Sequence, residues 1–314
     1  NAEGNGVSRS ALVLGHTDTV HPRGTIRAFP WREEEDGKIY GPGIFDMKAN
    51  CVLALETIRA GAELGLGAPN QRITVLFTCD EETGSADGRA LVEDEARRAS
   101  RILVLEPSAP GGRVKTGRKG TGMWTLRAHG RAAHAGLDPE KGASAVLEIA
   151  RQIETVHALN DYPRGTTVNV GVVRGGTASN VIAAEAEAEI DVRYSIAEEA
   201  ERLEESFRRL TPRDERVRLE VIGSINRPPL ERTNAVVELF TEARRTAAAL
   251  GFELDETQVG GASDGNFAAP FCPAVLDGLG IEGDGAHATH EHITTRNISL
   301  RGAMLAGLLT ADFG

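Results

Sequence analysis

Cysteine is scarce in this chain: Cys51, Cys79 and Cys272 are its only three, and no two of them form a C-x-x-C pair. An odd, widely spaced set argues against a disulfide framework and against a cysteine zinc site, and makes a reducing compartment, the cytoplasm, the expected location. No apolar run reaches the roughly 20 residues that cross a bilayer, and no charged-then-apolar leader opens the chain, so no membrane partner is expected. Lys and Arg number 35 against 46 Asp and Glu, a net charge of -11. They gather into no block or stripe that could follow a phosphate backbone, which argues against nucleic acid. Internal repeats and low-complexity tracts are missing as well. The chain opens at Asn1 rather than Met, with a convincing strand close behind it. That reads as a chain lacking its N-terminal part, which leaves room for a removed targeting segment and a secreted or periplasmic form.

What is present is an alternation. At 314 residues the chain exceeds the roughly 250 to 300 residues at which one core stops growing, so two domains are expected. Residues 11–112 alternate short apolar runs (ALVLG, ITVLFTC, RILVL) with helical stretches, the rhythm of a mainly parallel sheet in an α/β fold. In the helix after Asp46, Val52, Leu55, Ile58 and Ala62 have the spacing of one buried face, with Gly65 and Gly67 as its stop. Over 113–222 the pattern becomes period-two strands with two helices, in the order β-α-β-β-α-β of a ferredoxin-like layer. After Pro228-Pro229 the α/β pattern returns. The expectation is a discontinuous catalytic domain, 1–112 and 223–314, with 113–222 inserted into it.

Three strand-like runs end in metal-ligand residues: ALVLG in His16-Thr17-Asp18, ITVLFTCD in Glu81-Glu82, and RILVL in Glu106. In open α/β sheets ligands collect at the carboxyl ends of strands, so these residues can share one crevice. His16 and Asp18, two apart, start on the same side; Asp18 can accept one imidazole N–H while the other nitrogen binds a metal. Asp46 follows the glycine-rich GPGIF and precedes a helix, a place for an N-cap and equally for a ligand. Glu81 and Glu82 point opposite ways on an extended backbone, one toward a metal and one toward the attacking water. His21, His129 and His157 read as surface or half-buried residues, and Arg32-Glu33-Glu34-Glu35-Asp36 as a solvated hairpin tip before Gly37.

The segments HTDTV (16–20), GPGIFDMK (41–48), TCDEETGS (78–85), LEPS (105–108), RAAHAG (131–136), GGTASN (175–180), DVRY (191–194), GGASDGNFAA (260–269) and GAHATHEHI (285–293) follow one another in register over nearly the whole chain. Together they resemble the M20 di-zinc metallopeptidases, most closely glutamate carboxypeptidases of the carboxypeptidase G2 type. The resemblance implies two zinc ions per chain, with cobalt or manganese as substitutes. His16 and Glu106 would hold one, Glu82 and His287 the other, and Asp46 would bridge. It further implies Glu81 as general base, Asp18 orienting His16, and a cis peptide after Asp46. His134 would stabilise the oxyanion, often across a dimer, and Asn180, Arg227, Gly260 and Gly261 would contact substrate. Arg193 competes with Arg227 for the substrate carboxylate, and His290 and His292 crowd His287. Ala49 and Asn50 stand where family members often carry glycine.

The function expected from the resemblance is release of a C-terminal amino acid, glutamate or another carboxylate-bearing residue, from a small peptide or N-acyl amino acid. The alternatives are an N-acyl-amino-acid deacylase of the acetylornithine or succinyl-diaminopimelate kind and a catalytically silent metal-binding relative. A homodimer through an unpaired edge strand of the inserted layer is expected.

Overall fold

The computed structural model describes residues 10–67 and 71–311; the opening residues at Asn1 lie outside that range. The chain forms two compact units, the described residues of Asn1–Arg118 with Leu230–Gly314, and Lys119–Pro229.

In the first unit, Val275–Leu276, Arg101–Val104, Ser10–His16 and Arg72–Thr78 lie side by side in that order as a parallel sheet. Every residue of Ser10–His16 and Arg101–Val104 is buried, as a parallel sheet covered on both faces demands. Alternation along these strands sorts their side chains to two faces. Ala11, Val13, Leu103 and Leu105 join a core with Leu239, Ala243 and Leu305, whereas Leu12, Leu14, Ile102 and Val104 join another with Val92, Ala96 and Phe267. From Ser10–His16 the chain passes to a neighbour on one side, Arg72–Thr78, then to a neighbour on the other, Arg101–Val104. Strand order therefore reverses at Ser10–His16, and its carboxyl end is where a crevice opens.

The helix Ala49–Glu63 does not bury the face the spacing predicts. Val52 is 59% exposed and Leu55 53%, and the buried side chains are Asn50, Cys51, Leu53, Ala54 and Thr57. A small antiparallel sheet of Arg32–Glu33, Lys38–Tyr40, His292–Thr294 and Gly283–Asp284 flanks the metal-ligand loops, and the charge run forms its hairpin tip, turning at Gly37 with φ 79°.

The second unit has the order strand Gly120–His129, helix Ala145–His157, strands Thr167–Gly175 and Glu185–Tyr194, helix Glu198–Arg208 and strand Arg218–Arg227. It is an antiparallel sheet with helices on one face and its own core, in which Trp124 stacks on Phe207 with ring centroids 4.2 Å apart. The unit begins and ends later than 113–222. Val114–Arg118 pairs with Glu256–Val259 of the first unit, and Arg218–Arg227 continues to pair with Gly120–His129 beyond residue 222.

Candidate metal centre

His16 closes its strand with only 2% of its surface exposed. Its Nδ1 lies 3.3 Å from Asp18 Oδ1 and 3.1 Å from the Asp18 carbonyl oxygen. Its Nε2 lies 3.2 Å from Asp46 Oδ1 and 3.7 Å from Glu106 Oε1. Across the crevice His287 Nε2 is 3.4 Å from Asp46 Oδ2 and 3.3 Å from Glu82 Oε2. Asp46 thus presents one carboxylate oxygen to each histidine. Asp18 ties the halves together, because its Oδ2 accepts the Glu82 N–H at 2.9 Å. Glu81 opens the single turn Glu81–Thr83 and is 8% exposed.

Local backbone geometry sets these directions. The Asp46-Met47 peptide is cis and His287 has a φ of 66°. Asn50, a buried residue of the helix that follows, donates to the Phe45 carbonyl at 3.2 Å and accepts the Ile281 N–H at 2.8 Å. Asn50 therefore anchors the Asp46 loop. His290 is exposed, and His292 sits against the Tyr40 ring with its Nδ1 3.0 Å from the His290 carbonyl oxygen.

The electrostatics are those of too many acids in one buried place. Burial lowers the His16 pKa, but the hydrogen bond that its imidazole donates to Asp46 and the charges of Glu106, Glu81 and Asp46 outweigh it and raise it to about 10. Burial and the Asp46 charge push Glu106 up to about 7 and push Glu82 upward as well. For Asp46 burial acts upward, yet the His16 hydrogen bond and charge hold it below the ordinary carboxylate range. These directions share one cause, carboxylates crowded around a buried imidazole, and such a site favours positive charge, whether protons or a bound cation. Glu82 Oε1 is buried with no hydrogen-bond partner, and ligand atoms of His16, Asp46 and Glu82 lie within 4.8 Å of one another. Imidazole and carboxylate donors without thiolate suit zinc, cobalt or manganese. The residues present therefore fit a divalent-metal centre.

A second layer of buried polar groups lies behind these side chains, and of its members the sequence reading covers Glu291, within the 285–293 segment, but not Arg118. Arg118, 5% exposed, donates from Nε and Nη2 to Asp277 at 2.7 and 2.9 Å, and from Nη1 to the Gly261 and Ala262 carbonyls at 3.2 Å each. Its Nη2 is 3.5 Å from Glu106 Oε2. One guanidinium thus links the Glu106 carboxylate to the glycine-rich segment 260–264. Glu291 is completely buried and accepts from Gly43, Phe45 and Asp46 N–H groups and from His21. His21, half-buried as expected, is paired with Glu291 at 2.8 Å. The only signal for these groups in the sequence is their place in or near a motif segment, since their partners lie far along the chain.

Of the residues expected to meet substrate, Gly260 and Gly261 belong to the first unit, and a Cβ at Gly260 would meet nothing within 4 Å. His134, Asn180 and Arg227 belong to the second. His134 and Asn180 are neighbours there: His134 bridges Val181, and the Asn180 carbonyl accepts the Ala135 N–H at 2.9 Å. Both are exposed. Arg227 is buried at the end of its strand, where its carbonyl accepts the Tyr194 hydroxyl at 3.0 Å. Arg193 forms a two-pronged pair with Asp191 in its own strand, at 2.9 and 2.8 Å.

A profile of Peptidase family M20/M25/M40 matches residues 12–311. Carboxypeptidase G2 of Pseudomonas sp. (strain RS-16) is 30% identical over 98% of this chain and 74% of its own length. A succinyl-diaminopimelate desuccinylase of Dechloromonas aromatica (strain RCB) is 29% identical over 85% of this chain and 74% of its own. Among solved structures, aminopeptidase PepT from Bacillus cereus ATCC 10987 superposes with a TM-score of 0.78, at 23% identity, over 98% of this chain and 82% of that one.

Proposed function

Since the chain belongs to Peptidase family M20/M25/M40, whose members are metal-dependent hydrolases, we propose that it is a di-zinc carboxypeptidase releasing a C-terminal amino acid, glutamate or another acidic residue. The observation that carries this reading is Asp46, with one oxygen toward His16 and the other toward His287. His16 and Glu106 would hold one cation and Glu82 and His287 the other, with Asp46 shared. A bound pair supplies Lewis-acid polarisation of the scissile carbonyl and eases ionisation of a water at neutral pH.

The chain's own groups supply the proton chemistry. Glu81, buried beside these ligands, takes the proton of the attacking water on a carboxylate oxygen and delivers it to the leaving amine nitrogen. Asp18 holds His16 through Nδ1, so that Nε2 faces the cation. His134 donates to the oxyanion that develops on the carbonyl oxygen. Asn180 and Arg227 recognise the substrate's carboxylate side, a task that suits a guanidinium, and Gly260 and Gly261 leave space along the substrate backbone. A homodimer through the second unit is part of the same reading, supported by the edge strand Thr167–Gly175, on which Val173 is 54% exposed.

A deacylase of the succinyl-diaminopimelate kind is the second reading, favoured by a desuccinylase relative of nearly equal identity. One experiment separates the two. Metal-stripped and zinc-reloaded protein is assayed on N-acyl-glutamate, a folate-like glutamyl amide, N-acetylornithine and N-succinyl-diaminopimelate, with bound zinc counted. Zinc-dependent release of glutamate supports the carboxypeptidase. Turnover of only the acylated basic amino acids moves the assignment to the deacylases, and bound zinc without any turnover would leave a silent relative. Glu81→Gln is expected to keep its zinc and to lose about 10² to 10⁴ in kcat.

A further inference from the structure

His21 has no part in the roles assigned so far, yet it is wired to the centre. Its Nε2 lies 2.8 Å from Glu291 Oε2, with the two side chains 10% and 1% exposed. The same oxygen accepts the Gly43 N–H at 2.8 Å, and Oε1 accepts the Phe45 and Asp46 N–H groups at 2.9 Å each. An ionised carboxylate only accepts, so the imidazole nitrogen facing it is the donor and the tautomer is fixed. Glu291 also stands four positions after His287, and its carbonyl accepts the Gly41 N–H at 3.3 Å. It is the clamp between the loop that aims Asp46 and the turn that carries His287.

Three of the four donors to this carboxylate are backbone groups, which substitution leaves in place. Among the described residues, His21 is the fourth donor and the only side chain of the four. The segment that carries it is mostly exposed, with Val20 at 41%, Ile26 at 51% and Pro22, Arg23 and Gly24 also exposed, while buried Phe29 lies with its ring 6.3 Å from the imidazole. We propose that His21 is a positioning residue for the metal centre, acting through Glu291 to hold the Gly43–Asp46 backbone and thereby the Asp46 carboxylate between His16 and His287. The proposal rests on the divalent-cation reading of that site.

The full chain, freed of metal by chelation, is titrated with Co²⁺ against a chromophoric competitor, and the visible absorption of bound cobalt and the melting of the metal-free protein are recorded. His21→Ala is expected to weaken cobalt binding by about 10- to 100-fold, the usual effect of removing an outer partner. It should also alter the cobalt absorption envelope and, because it strips a partner from the buried Glu291, lower the melting of the metal-free protein. His21→Gln, which retains an N–H donor, should recover most of the affinity. Wild-type affinity and spectrum in His21→Ala would overturn the proposal. So would weakened binding in both variants accompanied by equal destabilisation of the metal-free protein, or failure of both to fold, since each marks a structural role. If the wild type itself bound no cobalt, the metal reading would fail and this inference with it; cobalt binding that is indifferent to residue 21 removes this inference alone.

Discussion

A metal ligand is held in place by groups that never touch the metal, and Arg118 illustrates the cost of that arrangement. Its guanidinium is buried with Asp277, which is itself fully buried and also accepts the Ser263 hydroxyl at 2.7 Å. Removing one member of such a pair leaves an uncompensated charge in low dielectric. Asp277→Ala is therefore expected to lose about 3 to 5 kcal/mol of stability, read from the urea midpoint at unchanged slope. A loss below about 1 kcal/mol, the range of exposed pairs, would mean that water reaches Arg118. Glu106, 3.5 Å from the same guanidinium, should lose its orientation in the variant and bind zinc less tightly. The sequence displays His16, Glu82 and Glu106 because ligand chemistry requires those residue types at strand ends. It does not display Arg118, or the partners of Asn50, Glu291 and His21, which hold backbone and side-chain groups in distant segments. Nothing in the type or spacing of a lone arginine or asparagine states that its partners lie some 150 to 250 positions away, as they do for Arg118 with Asp277 and for Asn50 with Ile281.

At the scale of elements, the strands were legible and one helix face was not. Ser10–His16 and Arg101–Val104 are short continuous apolar runs, the pattern of strands covered on both sides. Gly120–His129 alternates strictly because one face is covered and the other is wet. The helix Ala49–Glu63 carries apolar residues on more than one stripe, and periodicity alone does not choose between them. The choice is made by the Asp46 loop, which delivers the helix with Asn50 already turned inward to bond Phe45 and Ile281. Cys51, Leu53, Ala54 and Thr57 follow it into the core and Val52 and Leu55 face outward. Leu53→Ala is accordingly expected to lose about 2 to 5 kcal/mol, the range for buried leucine truncation. Leu55→Ala should change stability by no more than about 0.5 kcal/mol, as exposed positions do. Equal losses in paired unfolding curves would return the helix to the orientation that the spacing predicts.

For the whole molecule, the two-part organisation follows from length and from the change of pattern, while the boundary follows from pairing that the sequence does not display. Val114–Arg118 falls inside the expected insertion 113–222, but its hydrogen-bonded partner is Glu256–Val259, so it belongs to the first unit. Each unit has its own core, and His16, Asp46, Glu81, Glu82, Glu106 and His287 all belong to the first. Cation binding should therefore stabilise one unit and not the other. A ligand present at 1,000 times its dissociation constant stabilises the state that binds it by about 4.1 kcal/mol. For a unit of this size that is roughly 8 to 16 °C in Tm, at about 2 to 4 °C per kcal/mol. In calorimetry, chelation is expected to move one unfolding transition down by that amount and leave a second in place, and added zinc should restore the first. Asp46→Ala, which removes the carboxylate facing both histidines, should melt like the chelated protein and ignore zinc. A scan with no transition responding to chelator or zinc would remove the cation from the first unit, and two transitions moving together would mean that the cores unfold as one.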